Sequence, residues 1–265
     1  MLHISSRHNT LFKHLRRLLQ GGAQQAQAVL EGVHLCQDWL RHRGQPLQAV
    51  FDRQRLESDR ASDAELQALA GRLHAEHVVT MDSALLKALS VVAHAQGVLF
   101  VVEHPTPALP SRINHACVWL DRIQDPGNVG TMLRTAAAAG IQHAYLSPHC
   151  AAAWSPRVLR SAQGAHFVMT IYEHVDLADA RRRTHIPLLA TALDARSVSL
   201  YEAALPPECA WLFGNEGQGI APELLAVADQ SIHIPQAPGV ESLNVAVAAG
   251  VCLFEHRRRH GAGRS

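Results

Sequence analysis

From Cys117 onward, short apolar runs alternate with helix-like stretches, and no other feature of the chain narrows its fold as far. CVWLD, IQHAYLS, FVMTIY, IPLLATAL, CAWLFG and SIHIP read as strands. NVGTMLRTAAAAG, SPRVLRSAQGA, DLADARRRT, APELLAVAD and SLNVAVAAGVCLFEHRRR read as helices. Such alternation predicts an α/β fold, with a mostly parallel sheet covered by helices on both faces. In these sheets ligands sit beyond the carboxyl ends of the strands. The loops after CVWLD, LLATAL, WLFG and SIHIP are therefore where function is expected.

The earlier part alternates too. Thr10–Leu19 has helical spacing, and AVLEGVHLCQDWLRHR carries a strand into a helix. LQAVFD, HVVTM and GVLFVVE read as strands, and ASDAELQALAGRLH and SALLKALS as helices. The periodicity stops in VVEHPTPALPSRINHA, where prolines cluster. The expected layout is a small α/β domain over residues 1–104, a linker over 105–115 and a larger α/β domain over 116–265.

Composition removes several functional classes. VLFVV and VAVAAGVCLF are the longest apolar runs, and both are too short to cross a bilayer. The first residues carry scattered charges and no apolar signal core, so a cytoplasmic protein is expected. Five dispersed cysteines with no C-x-x-C pair predict reduced, mostly buried thiols. No H-E-x-x-H occurs among the 18 histidines, and no metal is expected. Formal net charge is +1, so bulk charge does not indicate a nucleic-acid partner. Local basic clusters do occur, at Lys13, Arg16 and Arg17, at Arg181–Arg183 and at Arg257–Arg259. They read first as solvated helix faces and only second as phosphate contacts.

Three loops carry chemistry-bearing residues. In DPGNVGTMLRTAAAAG, Asn128 stands where a helix N-cap is expected, and a helix amino end favours anions. Arg134 follows less than two turns later, on a face with Gly130, Thr131 and Ala138, and could grip a phosphate or pair with a carboxylate. LFGNEGQGI is glycine-rich but is neither the dinucleotide fingerprint nor a P-loop. In IPQAPGVESLNVAVAAGVCLFE, Ser242 is the expected cap, with Leu243 and Asn244 in the first turn. From Val245 to Phe254 that helix is apolar all round, which calls for burial on every side and implies a homodimer.

In order and spacing, these three stretches resemble the motifs of the SpoU (TrmH-like) RNA ribose methyltransferases of the SPOUT superfamily. ISSRHNTLFKHLRRLL, AVLEGVHLCQDWL and VVTMDSALLKALSVVAHAQGVLFVVE look more loosely like the L30e-like substrate-binding domain that often precedes them. The resemblance implies methyl transfer from S-adenosylmethionine to a ribose 2′-hydroxyl of RNA. It also implies a deep trefoil knot forming the cofactor pocket, and a homodimer. It assigns catalytic roles to Arg134, Asn128, Glu216, Ser242 and Asn244, and cofactor contacts to Gly214, Ile234, Leu243 and, less directly, Thr191. Arg7, Lys13 and Arg17 are the expected RNA contacts of the first domain. The two-domain layout favours ribosomal RNA over transfer RNA. A non-catalytic RNA-binding homologue and a nucleotide-dependent α/β enzyme are the rival readings.

Overall fold

The computed structural model describes residues 2–21, 26–91, 95–239 and 242–261. Residues 92–94, in the first domain's last matched stretch, and 240–241, in the third motif, lie outside the described residues. The chain divides into two units, Met1–Pro105 with Trp154–Leu159, and Thr106–Ala153 with Arg160–Ser265.

The first unit runs β1 (Leu2–Ile4), α1 (Thr10–Leu19), β2 (Gln27–Glu31), α2 (Val33–Arg43), β3 (Gln48–Asp52), α3 (Arg53–Leu56), α4 (Ala64–Ala70), β4 (Val78–Met81), α5 (Ser83–Leu89) and β5 (Val98–Glu103). Its five-stranded sheet has the order β1-β4-β3-β5-β2. β1, β4 and β3 run parallel, and β5 runs against both β3 and β2. Asn9 caps α1 by accepting from Leu11 N at 2.8 Å. Phe12 and Leu15 then face Val50, Val79 and Leu99 in one core. That packing leaves Lys13, Arg16 and Arg17 on the exposed side of α1, with Arg7 exposed just before it. β1 and α3 have no counterpart in the sequence reading, because three or four residues are too few to show a period.

The second unit continues with β6 (Cys117–Leu120), α6 (Pro126–Ala138), β7 (His143–Leu146), the end of α7 (Pro156–Ala162, whose residues up to Leu159 belong to the first unit), β8 (Thr170–Tyr172), α8 (Leu177–Arg183), β9 (Leu188–Thr191), β10 (Val198–Ser199), β11 (Ala210–Phe213), α9 (Pro222–Ala226), β12 (Gln230–His233) and α10 (Val245–His260). Its seven strands lie in the order β10-β12-β9-β11-β6-β7-β8, and every pairing is parallel. The fold is thus mixed α/β with a mostly parallel sheet, as the alternation predicts. The four residues of β6 and of β11 are buried throughout, as strands covered on both faces must be. The proline-rich stretch does not end as a free linker. Ile113 is wholly buried, donates to Arg183 O at 2.8 Å and accepts from His185 N at 2.9 Å.

Two basic runs are built into this unit rather than merely solvated. Arg181 binds both oxygens of Asp229, and Arg182 and Arg183 pair with Asp179. Arg259 donates to the carbonyls of Ala203, Leu200 and Tyr201. His256 and His260 form the chain's one H-x-x-x-H spacing, which the sequence reading overlooked. Their Nε2 atoms hold the carbonyls of Pro206 and Leu205 at 2.8 and 2.7 Å. They fasten α10 and are engaged as backbone clamps. Among the described residues one group has metal-ligand spacing, His74, Glu76 and His77, in the first unit.

Candidate functional site

The loop after β6 begins the site. Its helix starts earlier than the sequence suggests: Asp125, not Asn128, caps α6, accepting from Asn128 N at 2.8 Å, with Pro126 in the first turn. Proline is preorganised for that position and carries no N–H to leave unpaired. Asn128 is therefore inside the first turn, where its side chain is free for other partners. Thr131, Arg134 and Ala138 form the exposed face as expected, whereas Gly130 is buried.

The loop after β11 is a miniature hairpin. Asn215 and Gly219 exchange backbone hydrogen bonds at 3.0 and 2.9 Å. Asn215 Oδ1 accepts from the N–H groups of Gly217 and Gln218, filling the turn. Gly219 adopts φ +67°, which glycine reaches without strain. A side chain at Gly214 would place its Cβ 2.2 Å from Ile220 N and 2.3 Å from the carbonyl carbon of Gly219. No rotamer relieves a backbone collision, so the loop can close only over glycine.

A buried ion pair locks this hairpin to the end of β6. Asp121 is 3% exposed and accepts from Arg122, Ser147 Oγ and Ala221 N. Arg122 then reaches Gln218 Oε1 at 3.0 Å and Gly219 O at 3.3 Å, while its own carbonyl accepts from Asn215 Nδ2. Asp121 holds the Arg122 guanidinium above its ordinary pKa, chiefly through the hydrogen bond. The sequence reading missed this hub. Its signal was two adjacent opposite charges at a strand end, which periodicity does not report.

A second polar connection joins three segments that are far apart in sequence. Asn244 Nδ2 donates to Asn128 Oδ1 at 3.0 Å, and Asn128 Nδ2 donates to Glu216 Oε1 at 2.9 Å. Asn244, not Ser242, caps α10, its Oδ1 accepting from Ala246 N and Val247 N. The expected residues Asn128, Glu216 and Asn244 thus form one relay from the amino end of α10 to a carboxylate.

Beside the relay lies a cavity of about 490 Å³. Thr191, Gly214, Ile234 and Leu243 line it, together with Glu216, Ser242 and Asn244. Its walls come from the loops after β9, β11 and β12 and from the start of α10. Thr191 spends its hydroxyl on Leu212 O at 3.1 Å and offers the cavity its remaining surface. Gln236 also lines the cavity, and its Oε1 is buried with no partner among the described residues. Such an atom loses its hydration for nothing unless a donor meets it. Gln236 was not among the expected residues. Among the described residues Asp194 and Glu216 are the lining carboxylates, and no lysine or arginine lines the cavity.

Arg134 is not in that wall. It is exposed on α6 and has no hydrogen-bond or ion-pair partner among the described residues. The structural pairing with a carboxylate that the sequence left open is therefore absent among those residues. Arg7, Lys13 and Arg17 belong to the first unit.

α10 departs from the expectation of burial all round. Ala246, Ala249, Cys252, Leu253 and His256 are buried, and the helix packs on α6. Val247 and Phe254, on the other side, are 54% and 49% exposed.

The comparisons with known proteins agree with this geometry. The model of the SpoU rRNA Methylase family matches residues 115–254. An uncharacterised tRNA/rRNA methyltransferase of Synechocystis is 34% identical over 98% of this chain and 94% of its own length. The chain belongs to the SpoU rRNA methylase family. Within reach of this SpoU chain is also the 23S rRNA (guanosine-2′-O-)-methyltransferase RlmB of Burkholderia, 34% identical over 74% of this chain and 84% of that one. The crystal structure of an AdoMet-bound rRNA methyltransferase from Sinorhizobium meliloti superposes with TM-score 0.83 at 26% identity, covering 97% of each chain. The SpoU match spans all three loops that build the relay and the cavity.

Proposed function

We propose that the relay and cavity of the second unit form the methyl-transfer site of an rRNA 2′-O-ribose methyltransferase. The chain is a SpoU-family RNA methyltransferase, and its methyl donor is S-adenosylmethionine. One observation carries the site assignment: loops from three separate strands and the start of α10 enclose a single cavity at the sheet's carboxyl edge, with the Asn244–Asn128–Glu216 relay at its side.

The residues present fit the donor. Gly214, Ile234 and Leu243 line the cavity, and Gln236 Oε1, without a partner among the described residues, suits an N–H such as an adenine amino group or an ammonium. Among the described residues, two lining carboxylates and no lysine or arginine suit a sulfonium. Bound there, S-adenosylmethionine supplies a methyl group activated by positive sulfur. The chain's own part is to position the ribose. A guanidinium does not release its proton in a protein, so Arg134 holds the neighbouring RNA phosphate and stabilises negative charge on the 2′-oxygen. The proton leaves to a phosphate oxygen or to water. Asn128 and Glu216 keep the two loops in register.

Around this centre the assignment has three further parts. The C-terminal end of the second unit carries the family's deep trefoil knot, which forms the cofactor pocket. Val247 and Phe254 are covered by a second copy of α10, since a bare apolar stripe on a helix otherwise faces water. Phe254→Asp then leaves a monomer in sedimentation analysis, where the wild type is a dimer. The first unit holds RNA through Arg7, Lys13 and Arg17. Among the described residues no helix is long and apolar enough to cross a membrane.

Incubation with methyl-labelled S-adenosylmethionine and separate unmodified ribosomal and transfer RNA pools tests the reading. Label at one alkali-resistant linkage in ribosomal RNA is the expected result. Alkali-sensitive label would mean base methylation and would overturn the role given to Arg134. Label in transfer RNA alone would move the substrate.

A further inference from the structure

A second cavity, of about 440 Å³, opens on the same carboxyl edge of the sheet, beyond β6, β7 and β8. That volume lies in the range of roughly 300–1,000 Å³ typical of small-ligand sites. The Arg122–Gln218 hydrogen bond separates it from the cofactor cavity, because Arg122 lines the one and Gln218 the other. Its floor is apolar: Val175, Leu177 and Leu224 are buried.

Its rim carries unused hydrogen-bonding capacity of both kinds. Asp176 Oδ1 caps α8, accepting from Ala178 N and Asp179 N, while Oδ2 has no partner among the described residues. Glu223 has none for either oxygen among them and is exposed. Arg122 keeps one Nη1 N–H free after binding Gln218, and the exposed His149 adds an imidazole. The backbone here is also unusual. Among the described residues four non-glycine residues have positive φ, and three of them sit at this cavity: Arg122 at 56° and His149 at 72° in its lining, and His174 at 55° just before Val175. Strained residues persist where the surrounding structure fixes them, and they gather at functional sites.

The charge decides the ligand class. Asp121, Asp176 and Glu223 oppose one guanidinium, so the cavity repels phosphate. A flat, neutral group with N–H donors on its edge meets the free carboxylates and lies on the apolar floor. RNA offers such groups wherever a base is unstacked. We infer that this cavity takes an unpaired nucleobase of the substrate RNA, one bearing an amino or imino N–H edge, while the ribose to be methylated is held on the far side of the Arg122–Gln218 bridge. The inference rests on the RNA methyltransferase reading and adds a base-reading subsite to it.

The test turns on a sign. Wild type, Glu223→Gln and the double variant Asp176→Asn/Glu223→Gln are compared by filter binding to an unmodified ribosomal RNA transcript. Asparagine is itself a good N-cap, so α8 keeps its cap, and melting curves check the fold. Removing negative charge beside a polyanion ordinarily tightens binding. A base-reading role predicts the reverse: Kd for RNA about tenfold weaker in the double variant, less in the single one, with affinity for S-adenosylmethionine unchanged by calorimetry. RNA affinity that rises, or stays within twofold, overturns the inference. Titration with free guanosine and cytidine forms a further arm, and micromolar binding of either alone would make this a small-molecule site and overturn the RNA assignment. Failure of the wild type to bind S-adenosylmethionine would instead sink the methyltransferase reading, whatever the RNA titrations show.

Discussion

At the carboxyl end of the second unit's sheet, amides and carboxylates tie loops to one another around open cavities. At the amino end, half-buried histidines pack against buried tyrosines. His115 packs at a tilt against His143 with ring centroids 3.7 Å apart, and its Nε2 lies 3.1 Å from the Tyr145 hydroxyl. Tyr145 stacks on Tyr172 at 4.6 Å, and His143 Nδ1 is buried without a partner. Burial lowers the pKa of both histidines and raises those of both tyrosines. The two ends therefore use similar residue types for opposite purposes. Polar groups that organise loops leave room for a ligand, and those that stack leave room for nothing.

The largest effect that would sharpen this contrast is expected at Arg134. Arg134→Ala should lower single-turnover methyl transfer by about 10²–10³-fold, the usual size for losing one charge-stabilising group. Affinity for the methyl donor should stay within about twofold. Retained transfer would leave the carboxyl end without its proposed electrostatic group. Next comes Gly214→Ala. A Cβ 2.2 Å from backbone forces the hairpin open, so donor binding measured by calorimetry should fall by at least about tenfold while melting of the rest of the unit changes little.

A smaller loss, about tenfold in kcat, is expected for Asn128→Ala, which cuts the relay at its centre. Adding Asn244→Ala should cost less than the two single losses combined, because members of one network are not additive. Full additivity in that cycle would mean the relay seen here does not act as a unit. The least effect on activity, and the clearest on stability, belongs to the amino end. A histidine whose folded pKa is lowered binds its proton more readily when unfolded. Stability is then complete above the unfolded value of about 6.5 and declines as pH falls from there towards the folded pKa. The melting midpoint should drop between pH 7 and pH 5, and His143→Asn should flatten that slope without altering transfer at pH 7.5. An unchanged slope in the variant would assign the acid sensitivity to other groups, among them His256, whose pKa burial also lowers.

The alternation of strands and helices was legible because each long element repeats its period several times. β10 escaped notice because two residues show none. The cap positions were misplaced for a related reason. Asp125 and Asn128 are both good caps, and Pro126 between them was the deciding residue. The motifs named Asn128, Glu216 and Asn244 together, yet their mutual hydrogen bonds depend on how three distant loops close. The Asp121–Arg122 hub and Gln236 stayed hidden because a buried ion pair and an unpaired amide oxygen are properties of packing, which spacing does not encode.

The relay has a direction. Each amide gives its NH₂ to the next member, and Asn244 turns its oxygen back on its own helix. Asn128 has no second oxygen for a different neighbour and no second amino group for a different carboxylate. Positions 128, 216 and 244 therefore drift in concert: a change at Asn128 strands both of its partners, and a change at Glu216 or Asn244 strands one side of Asn128. Across descendants of this chain, these three residues should be inherited as a block even where the surrounding loops diverge freely.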